Sequence, residues 1–567
     1  MNSATKKVRV AYFSMEIALD PAMPTYSGGL GVLAGDTLRS AADLGVPMVA
    51  ITLLHRKGYF RQRLDQHGNQ LEEPEMWDPK QFLEPMEPLG EVVVEGRTLQ
   101  VQAWRFLVRG VSGHTIPVYL LDTGLPANSA WDRGLTDHLY GGDSHYRLCQ
   151  EVVLGMGGVN LLERLGHADI EIFHMNEGHS ALLVLALVGR LLKAHGIKAA
   201  SEEKLEEVRR KCVFTTHTPV PAGHDQFPGE LVRQVLGEEN ARALAILNCL
   251  SDGVLNMTYL GLRGSRYING VAMRHGEVSR GMFPRYPIRA ITNGVHAVTW
   301  TAPSFRDLYD RHIPEWRQDN LYLRYALSIP LEEIRAAHLQ AKRALLDELK
   351  KKTGESLDDG VMTIGFARRA STYKRADLLF SNVERLKWIA QHVGPLQVIY
   401  GGKAHPRDGG GKEIIQRIYG AAASLQESIR VVYVENYDWR WGQLITSGVD
   451  VWLNTPQRPQ EASGTSGMKA ALNGVPSLSI LDGWWVEGHA EGLTGWAIGH
   501  GGELLADPSS EIASLYDKLE LLILPLYYGR PTAFAEVMRS AIALNGSFFN
   551  AQRMVAQYVS NAYFPAR

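Results

Sequence analysis

Short apolar runs alternate with helical patterns along almost the whole chain. The first half carries VRVAYFSME, VPMVAITLL, TIPVYLLD, IEIFHMN and CVFTTHTP; the second carries VMTIGFA, LQVIYGG, IRVVYVENY, VDVWLNTP and VPSLSIL. Runs of this kind, bounded by glycine and proline with helices between them, predict parallel strands covered on both faces. The pattern therefore predicts an α/β protein with two doubly wound, Rossmann-like sheets. The break between them falls near ITNGVHAVTWTAPSF, residues 291–305. Beyond it, SIPLEEIRAAHLQAKRALLDELKKKTG reads as one amphipathic helix, with Pro330 in its first turn and Gly354 at its stop. The run AFAEVMRSAIALNGSFFNAQRMVAQYVSNAYF near the end reads as helical. These boundaries give an N-terminal α/β domain over 1–297, a C-terminal α/β domain over 298–535, and a helical segment over 536–567 packing back across both. Two such domains facing one another place a cleft at the carboxyl ends of both sets of strands, where the chemistry is expected.

Composition changes this picture little. With 567 residues, 45% apolar and 21% charged, the chain is too long for one core and ordinary for a soluble protein. A net charge of −2 gives no support for nucleic-acid binding or for an anionic membrane surface. Cys149, Cys212 and Cys249 are scattered and odd in number, so neither a disulfide framework nor a cysteine metal site is expected. The start, MNSATKKVRVAYFSME, passes from a short basic stretch straight into a strand-like run, and no apolar stretch approaches a membrane span. A cytoplasmic enzyme or binding protein is the expectation.

The chemistry-bearing residues sit in glycine-containing loops. EASGTSGMKAALNG, residues 461–474, predicts a helix starting after Gly464, with Met468, Ala471 and Leu472 on its apolar side and Asn473-Gly474 at its end. Lys469 lies within it among small and apolar neighbours. A lysine there can lose its charge on burial and act as a nucleophilic amine, although most interior lysines only snorkel to water. The preceding loop offers backbone N–H groups suited to a phosphate, and an amine beside a phosphate cradle points to pyridoxal phosphate held as a Schiff base. YSGGLGVLAGD, residues 26–36, follows the first strand and opens a helix; it is either a tight turn or a loop that lets the backbone approach an anion. GFARRASTYKRADLL, residues 365–379, brings Arg368, Arg369, Lys374 and Arg375 into one loop-to-helix segment. That is a solvated helix face or, at the carboxyl end of a strand, a site for two or more phosphates. His217 ends a strand in TTHTPVPAGHD, while His174 and His179 lie in HMNEGHS; their spacing does not suit zinc. Asn293 in ITNGV and Glu461 in EASG offer the mix of donors and acceptors that a sugar requires. Neither a Ser-His-Asp signature nor a Walker loop is present.

Taken together, these residues resemble the glycogen (α-glucan) phosphorylase family, and EASGTSGMKAALNG is close to that family's lysine signature. GGLG, GSRYINGVA, ITNGV, STYKR, YGGKAHP, VENY and EASG follow in the family's order, and LDGWWVEG after the lysine helix resembles the short bacterial and archaeal branch. The resemblance implies a GT-B-type glycosyltransferase architecture with a catalytic cleft between two facing domains. It implies that Lys469 holds pyridoxal 5′-phosphate, with Gly28, Gly29, Thr465 and Ser466 around the cofactor phosphate. Arg368 and Lys374 would neutralise that phosphate, the family having lysine where Arg368 stands, and Trp300 and Tyr437 would line the cofactor. Arg369 would grip the substrate phosphate. His217, Asn293, Glu461, Ser463 and Gly464 would bind the glucose unit, with Leu30 and Asp143 near the same subsite. Lys469, Arg369, Lys374 and His217 are thus the expected catalytic set. One departure stands out: long forms have arginine after the tyrosine of ENY, where this chain has Asp438, with Arg440 the candidate to compensate.

The reaction so implied is phosphorolysis of α-1,4-glucan from the non-reducing end, giving α-D-glucose 1-phosphate with retention. The cofactor's phosphate would exchange a proton with inorganic phosphate, which explains why no glycosidase-like carboxylate pair is evident. Expected partners are α-glucan and inorganic phosphate or glucose 1-phosphate, and a homo-oligomer is a family expectation. The rivals are a nucleotide-sugar-dependent glucan synthase, which lacks the lysine signature, a non-catalytic glucan-binding protein, and a pyridoxal-dependent aminotransferase.

Overall fold

The computed structural model describes residues 8–196, 200–220, 223–499 and 507–565. The basic stretch at 1–7, and Pro221 and Ala222 of TTHTPVPAGHD, lie outside the described residues. All ten apolar runs form strands, because each places β-branched and aromatic side chains where both faces are covered. In the second half the five runs and a sixth strand, Gly495–Ile498, assemble into a parallel sheet. Its order is Arg430–Val434, Leu396–Gly401, Met362–Ala367, Val451–Asn454, Ser477–Ile480 and Gly495–Ile498. The order reverses between Met362–Ala367 and Val451–Asn454, so the loops after these two strands splay apart and leave a crevice.

The first-half sheet has nine strands and is mixed rather than wholly parallel. At one edge Arg97–Arg109 runs antiparallel to both Glu84–Val94 and Thr115–Asp122. The parallel expectation failed here because EPMEPLGEVVV alternates apolar with charged residues and carries two prolines, the pattern of a strand with one wet face. Val10–Ser14 lies centrally, flanked by Met48–Leu53 and Ile172–Asn176, and the loops leaving Ser14 and Asn176 again diverge at a reversal of order.

The long helix forms as Leu331–Thr353 and is stopped by Gly354, whose φ of 78° is left-handed. Pro330 stands one place earlier than expected, as the residue capping the helix rather than within its first turn. The segment after Ala367 departs further from expectation. It forms only two short 3-10 turns, Thr372–Lys374 and Leu378–Phe380, and no α-helix begins before Val383. Tertiary bonds explain the difference: Arg375 adopts φ 45° and donates to the carbonyls of Thr455 and Pro456, while the Thr455 hydroxyl donates to the carbonyls of Lys374 and Arg375.

The C-terminal segment is helical over Pro531–Ser540 and Ala551–Tyr558. Phe534 to Phe549 share a core with the second sheet, whereas Met554, Val555, Tyr558 and Tyr563 pack with Val10 and Tyr12 of the first. Between the strand ends, Gly402 lets two loops touch. Its φ is 150°, and a Cβ there would lie 1.9 Å from the Arg368 carbonyl oxygen. Gly402→Ala is therefore expected to cost roughly 2–4 kcal/mol of stability, by adding a clash to an unfavourable backbone. A urea melt that leaves the midpoint unchanged would contradict this packing.

Candidate active site

The two sets of loops enclose a cleft of about 760 Å³. Every residue expected from the sequence to bind cofactor or substrate lines it, from Gly28, Gly29 and Leu30 on one side to Arg368, Arg369, Lys374 and the loop 461–469 on the other. His174 does not line it. That histidine is buried in the sheet between Tyr563 and Thr215, 2.7 and 2.8 Å away, which is the structural role most lone histidines have.

Lys469 lies on the helix Thr465–Ala471, entered through Gly464 at φ 87°. Small residues are needed here because a Cβ on Gly467 would meet the Trp484 indole at 2.7 Å. Lys469 is 8% exposed, and its amine sits 3.6 Å above the centre of the Trp300 ring. Burial lowers its pKa to about 8, with Asp36 opposing the shift. Asp36 also accepts a hydrogen bond from Trp300 Nε1 at 2.8 Å, which fixes the indole plane under the amine.

Around the second sheet's reversal point the charges form a compact cluster. Arg368 makes a bidentate pair with Glu461 at 2.7 and 3.0 Å, and Lys374 Nζ reaches the same carboxylate at 2.6 Å. Arg368 also donates to Asn454. Burial pushes the Glu461 carboxyl upward, but Arg368 and Lys374 overcome it and hold the pKa at about 2. Arg369 differs from its neighbours. It is open to the cleft, and among the described residues its surroundings are the phenols of Tyr373 and Tyr59 rather than a paired carboxylate.

On the facing side, His217 Nε2 lies 2.6 Å from Asn176 Oδ1, and Asn176 Nδ2 donates to Ser14. The amide oxygen must then accept, which assigns the proton to Nε2 and makes Nδ1 the acceptor nitrogen of the ring. Burial takes the His217 pKa down to about 3, so the ring is neutral. Glu177 holds this loop by accepting from the backbone N–H of His217 at 2.7 Å and from Thr218. Among the described residues Asn293 Oδ1 and Ser463 Oγ are buried without a hydrogen-bond partner, and both residues line the cleft. At the glycine loop, Cβ atoms added to Gly28 or Gly29 would meet nothing within 4 Å, so the backbone there borders open space. Asp143 caps the helix Ser144–Val152, accepting from Tyr146 N at 2.9 Å.

Asp438 likewise caps a helix, Trp439–Gly448. Arg440 does not compensate for it: its side chain is 64% exposed and pairs with Glu348 at 3.2 Å, away from the cleft. The motif reading missed several lining residues, including Glu16, which accepts from Tyr140 at 2.8 Å, and Lys403. A lysine directly after the paired glycines of YGGKAHP was the available signal for the latter. Among the described residues no cluster suits a metal, and no helix is long and apolar enough to cross a membrane.

A family model described as carbohydrate phosphorylase matches residues 236–492. The chain is 39% identical to a maltodextrin phosphorylase of Thermococcus litoralis, over 98% of its own length and 70% of the relative's. It is 37% identical to a glycogen phosphorylase of Mycobacterium tuberculosis, over 98% and 71%, and 36% identical to one of Aquifex aeolicus, over 99% and 86%. This chain belongs to the carbohydrate phosphorylase family. Membership gives the cleft a frame: this phosphorylase-family chain keeps its lysine buried and its cations at the strand ends. Peptide mass analysis of the cofactor-free chain, acylated across a pH series, should show Lys469 modified with a midpoint at about 8. A midpoint at the ordinary lysine value of 10.5 would show that the amine is not desolvated.

Proposed function

We propose that this chain is an α-glucan phosphorylase. It cleaves the terminal α-1,4 link of glycogen, starch or maltodextrin with inorganic phosphate and releases α-D-glucose 1-phosphate with retention. The observation that carries the reading is the convergence of a desolvated Lys469 amine, an open glycine cradle and, among the described residues, an Arg369 without a carboxylate partner in one cleft. A nucleotide-sugar-dependent synthase has no use for that amine.

Pyridoxal phosphate fits the residues present. Lys469 offers an amine that is readily neutral, Trp300 and Tyr437 offer flat walls, and Gly28, Gly29, Thr465 and Ser466 border the space a phosphate would take. When bound, the cofactor supplies a phosphate that can give and take a proton beside the substrate's phosphate. Lys374 and Arg368 lie at that end of the cleft and favour dianionic phosphate, with Glu461 offsetting only part of their positive charge. Arg369 orients inorganic phosphate by two parallel N–H donors. His217 Nδ1 accepts a glucose hydroxyl, and Asn293 Oδ1 and Ser463 Oγ take further hydroxyls. Leu30 and Asp143 border the same subsite, Gly464 leaves room for the sugar, and the neutral ring of His217 adds no charge where positive charge develops at the anomeric carbon. The architecture we infer is GT-B-type, with domains over 1–297 and 298–535 meeting at the cleft and 536–567 tying them together.

Phosphate-dependent release of glucose 1-phosphate from a panel of oligosaccharides and polymers tests the function; no release from any α-glucan would overturn it. Lys469→Ala should fold, bind no cofactor and release no product. Arg369→Ala should keep the cofactor through dialysis yet lose about 2–5 kcal/mol of transition-state stabilisation, tens- to thousands-fold in rate. Lys374→Ala should lose cofactor as well as rate. Equal cofactor retention in the Arg369 and Lys374 variants would refute this division of the two phosphates.

A further inference from the structure

A two-stranded hairpin, Arg61–Leu64 paired with Gln70–Glu73, reaches from the first half of the chain onto the loops of the second sheet. Its two glutamines are buried, Gln62 at 0% and Gln70 at 6% exposure. A buried glutamine is costly unless both its N–H donors and its oxygen are used. Here most are spent on two loops of the second sheet, and the rest within the hairpin, where Gln70 Nε2 also donates to Glu72 Oε1 at 2.8 Å. Gln62 Nε2 donates to Gln70 Oε1 and to the Gly402 carbonyl, each at 2.9 Å. Gln62 and Asn436 exchange two bonds of 3.0 Å, each backbone N–H donating to the other's side-chain oxygen. Gln70 Nε2 donates to the Ala404 carbonyl at 2.8 Å and Gln70 Oε1 accepts from Ala404 N at 2.9 Å. The hairpin thus grips the backbone on both sides of Lys403, and the residue before Tyr437 and Asp438.

Lys403 itself lines the cleft. Its ammonium donates to the carbonyl of Phe60, the residue before the hairpin, at 2.9 Å. An ammonium has three donors, and no carboxylate among the described residues forms an ion pair with this one; Glu75 and Asp438 act on it only from further away. Lys403 and Arg369 are therefore two cleft cations whose charge the chain does not neutralise by contact. Ala370 N donates to the Lys403 carbonyl at 2.9 Å, so the two loops that carry them are joined directly.

We propose that Lys403 is a phosphate-binding residue of the cleft, and that Gln62 and Gln70 are positioning residues that hold it there from the other half of the chain. The inference rests on the phosphorolysis reading. The phosphate concerned belongs either to the substrate or to the cofactor, and the experiment separates the two.

Lys403→Met, Gln70→Leu and the double variant are compared as purified holoenzyme. Titration calorimetry with inorganic phosphate, KM for phosphate and for glucan, and cofactor content after dialysis are read on each. If the substrate phosphate is bound, Lys403→Met weakens phosphate at least about tenfold and leaves the glucan KM unchanged. If the cofactor phosphate is bound, the same variant sheds cofactor on dialysis instead. Gln70→Leu should move the same quantity in the same direction, and the double variant should be no worse than Lys403→Met, because the glutamine acts through the lysine. Unchanged phosphate affinity together with full cofactor retention in Lys403→Met overturns the assignment. A Gln70→Leu variant that only melts earlier, or a double variant with additive losses, overturns the positioning role. If Gln70→Leu does not fold, Gln62→Met takes its place. Failure of the wild-type chain to release glucose 1-phosphate would remove the phosphorolysis reading, while calorimetry would still report on Lys403.

Discussion

Glu461 accepts hydrogen bonds from Arg368 and Lys374 in a place that water scarcely reaches. One carboxylate facing two cations leaves an excess of positive charge, and Arg369 and Lys403 add to it without carboxylate partners of their own. Burying Arg368 and Lys374 with a single carboxylate costs free energy unless an anion compensates. The cluster sits where the second sheet reverses its strand order, so the loops that follow Ala367 and Asn454 must part, and the space they leave faces the glycine loop of the first sheet. The site is thus an anion hole by construction, with Glu461 keeping two of its cations at a fixed spacing.

The same constraint explains the small residues near Lys469. Its helix must lie close under Trp484 and Trp300 to exclude water from the amine, and Gly467 and Gly464 permit that approach. A dry amine and a charged cluster a few residues apart are opposite electrostatic environments. The loop 461–469 serves both, because Glu461 faces the cations while Lys469 faces an indole and accepts only the distant influence of Asp36.

How much of this was legible depends on the range of the interaction. Strands buried on both faces declare themselves as continuous apolar runs, so Met362–Ala367 and Val451–Asn454 could be read directly. The edge strand Glu84–Val94 and its neighbour Arg97–Arg109 could not, since one wet face breaks up each run. Arg369 and Asn293 were readable as polar residues in loops at strand ends, and Lys469 as an amine on a helix directly behind a glycine-containing loop. The missing helix after Ala370 was not, because bonds from Arg375 and Thr455 across the loop override local preference. Gln62 and Gln70 gave no signal at all: a glutamine in a polar hairpin reads as solvated, and only the tertiary approach of Gly402 and Ala404 buries it.

Glu461 balances cations that otherwise demand an anion, and thermal melting of Glu461→Gln in phosphate-free and phosphate-containing buffer measures this directly. Removing the charge leaves Arg368 and Lys374 buried and uncompensated, a loss of about 3–5 kcal/mol for a broken buried pair. The variant should therefore melt several degrees below the wild-type chain without phosphate and recover much of the difference when phosphate is added. Melting together with the wild type in both buffers would contradict the claim that these cations are held in need of an anion.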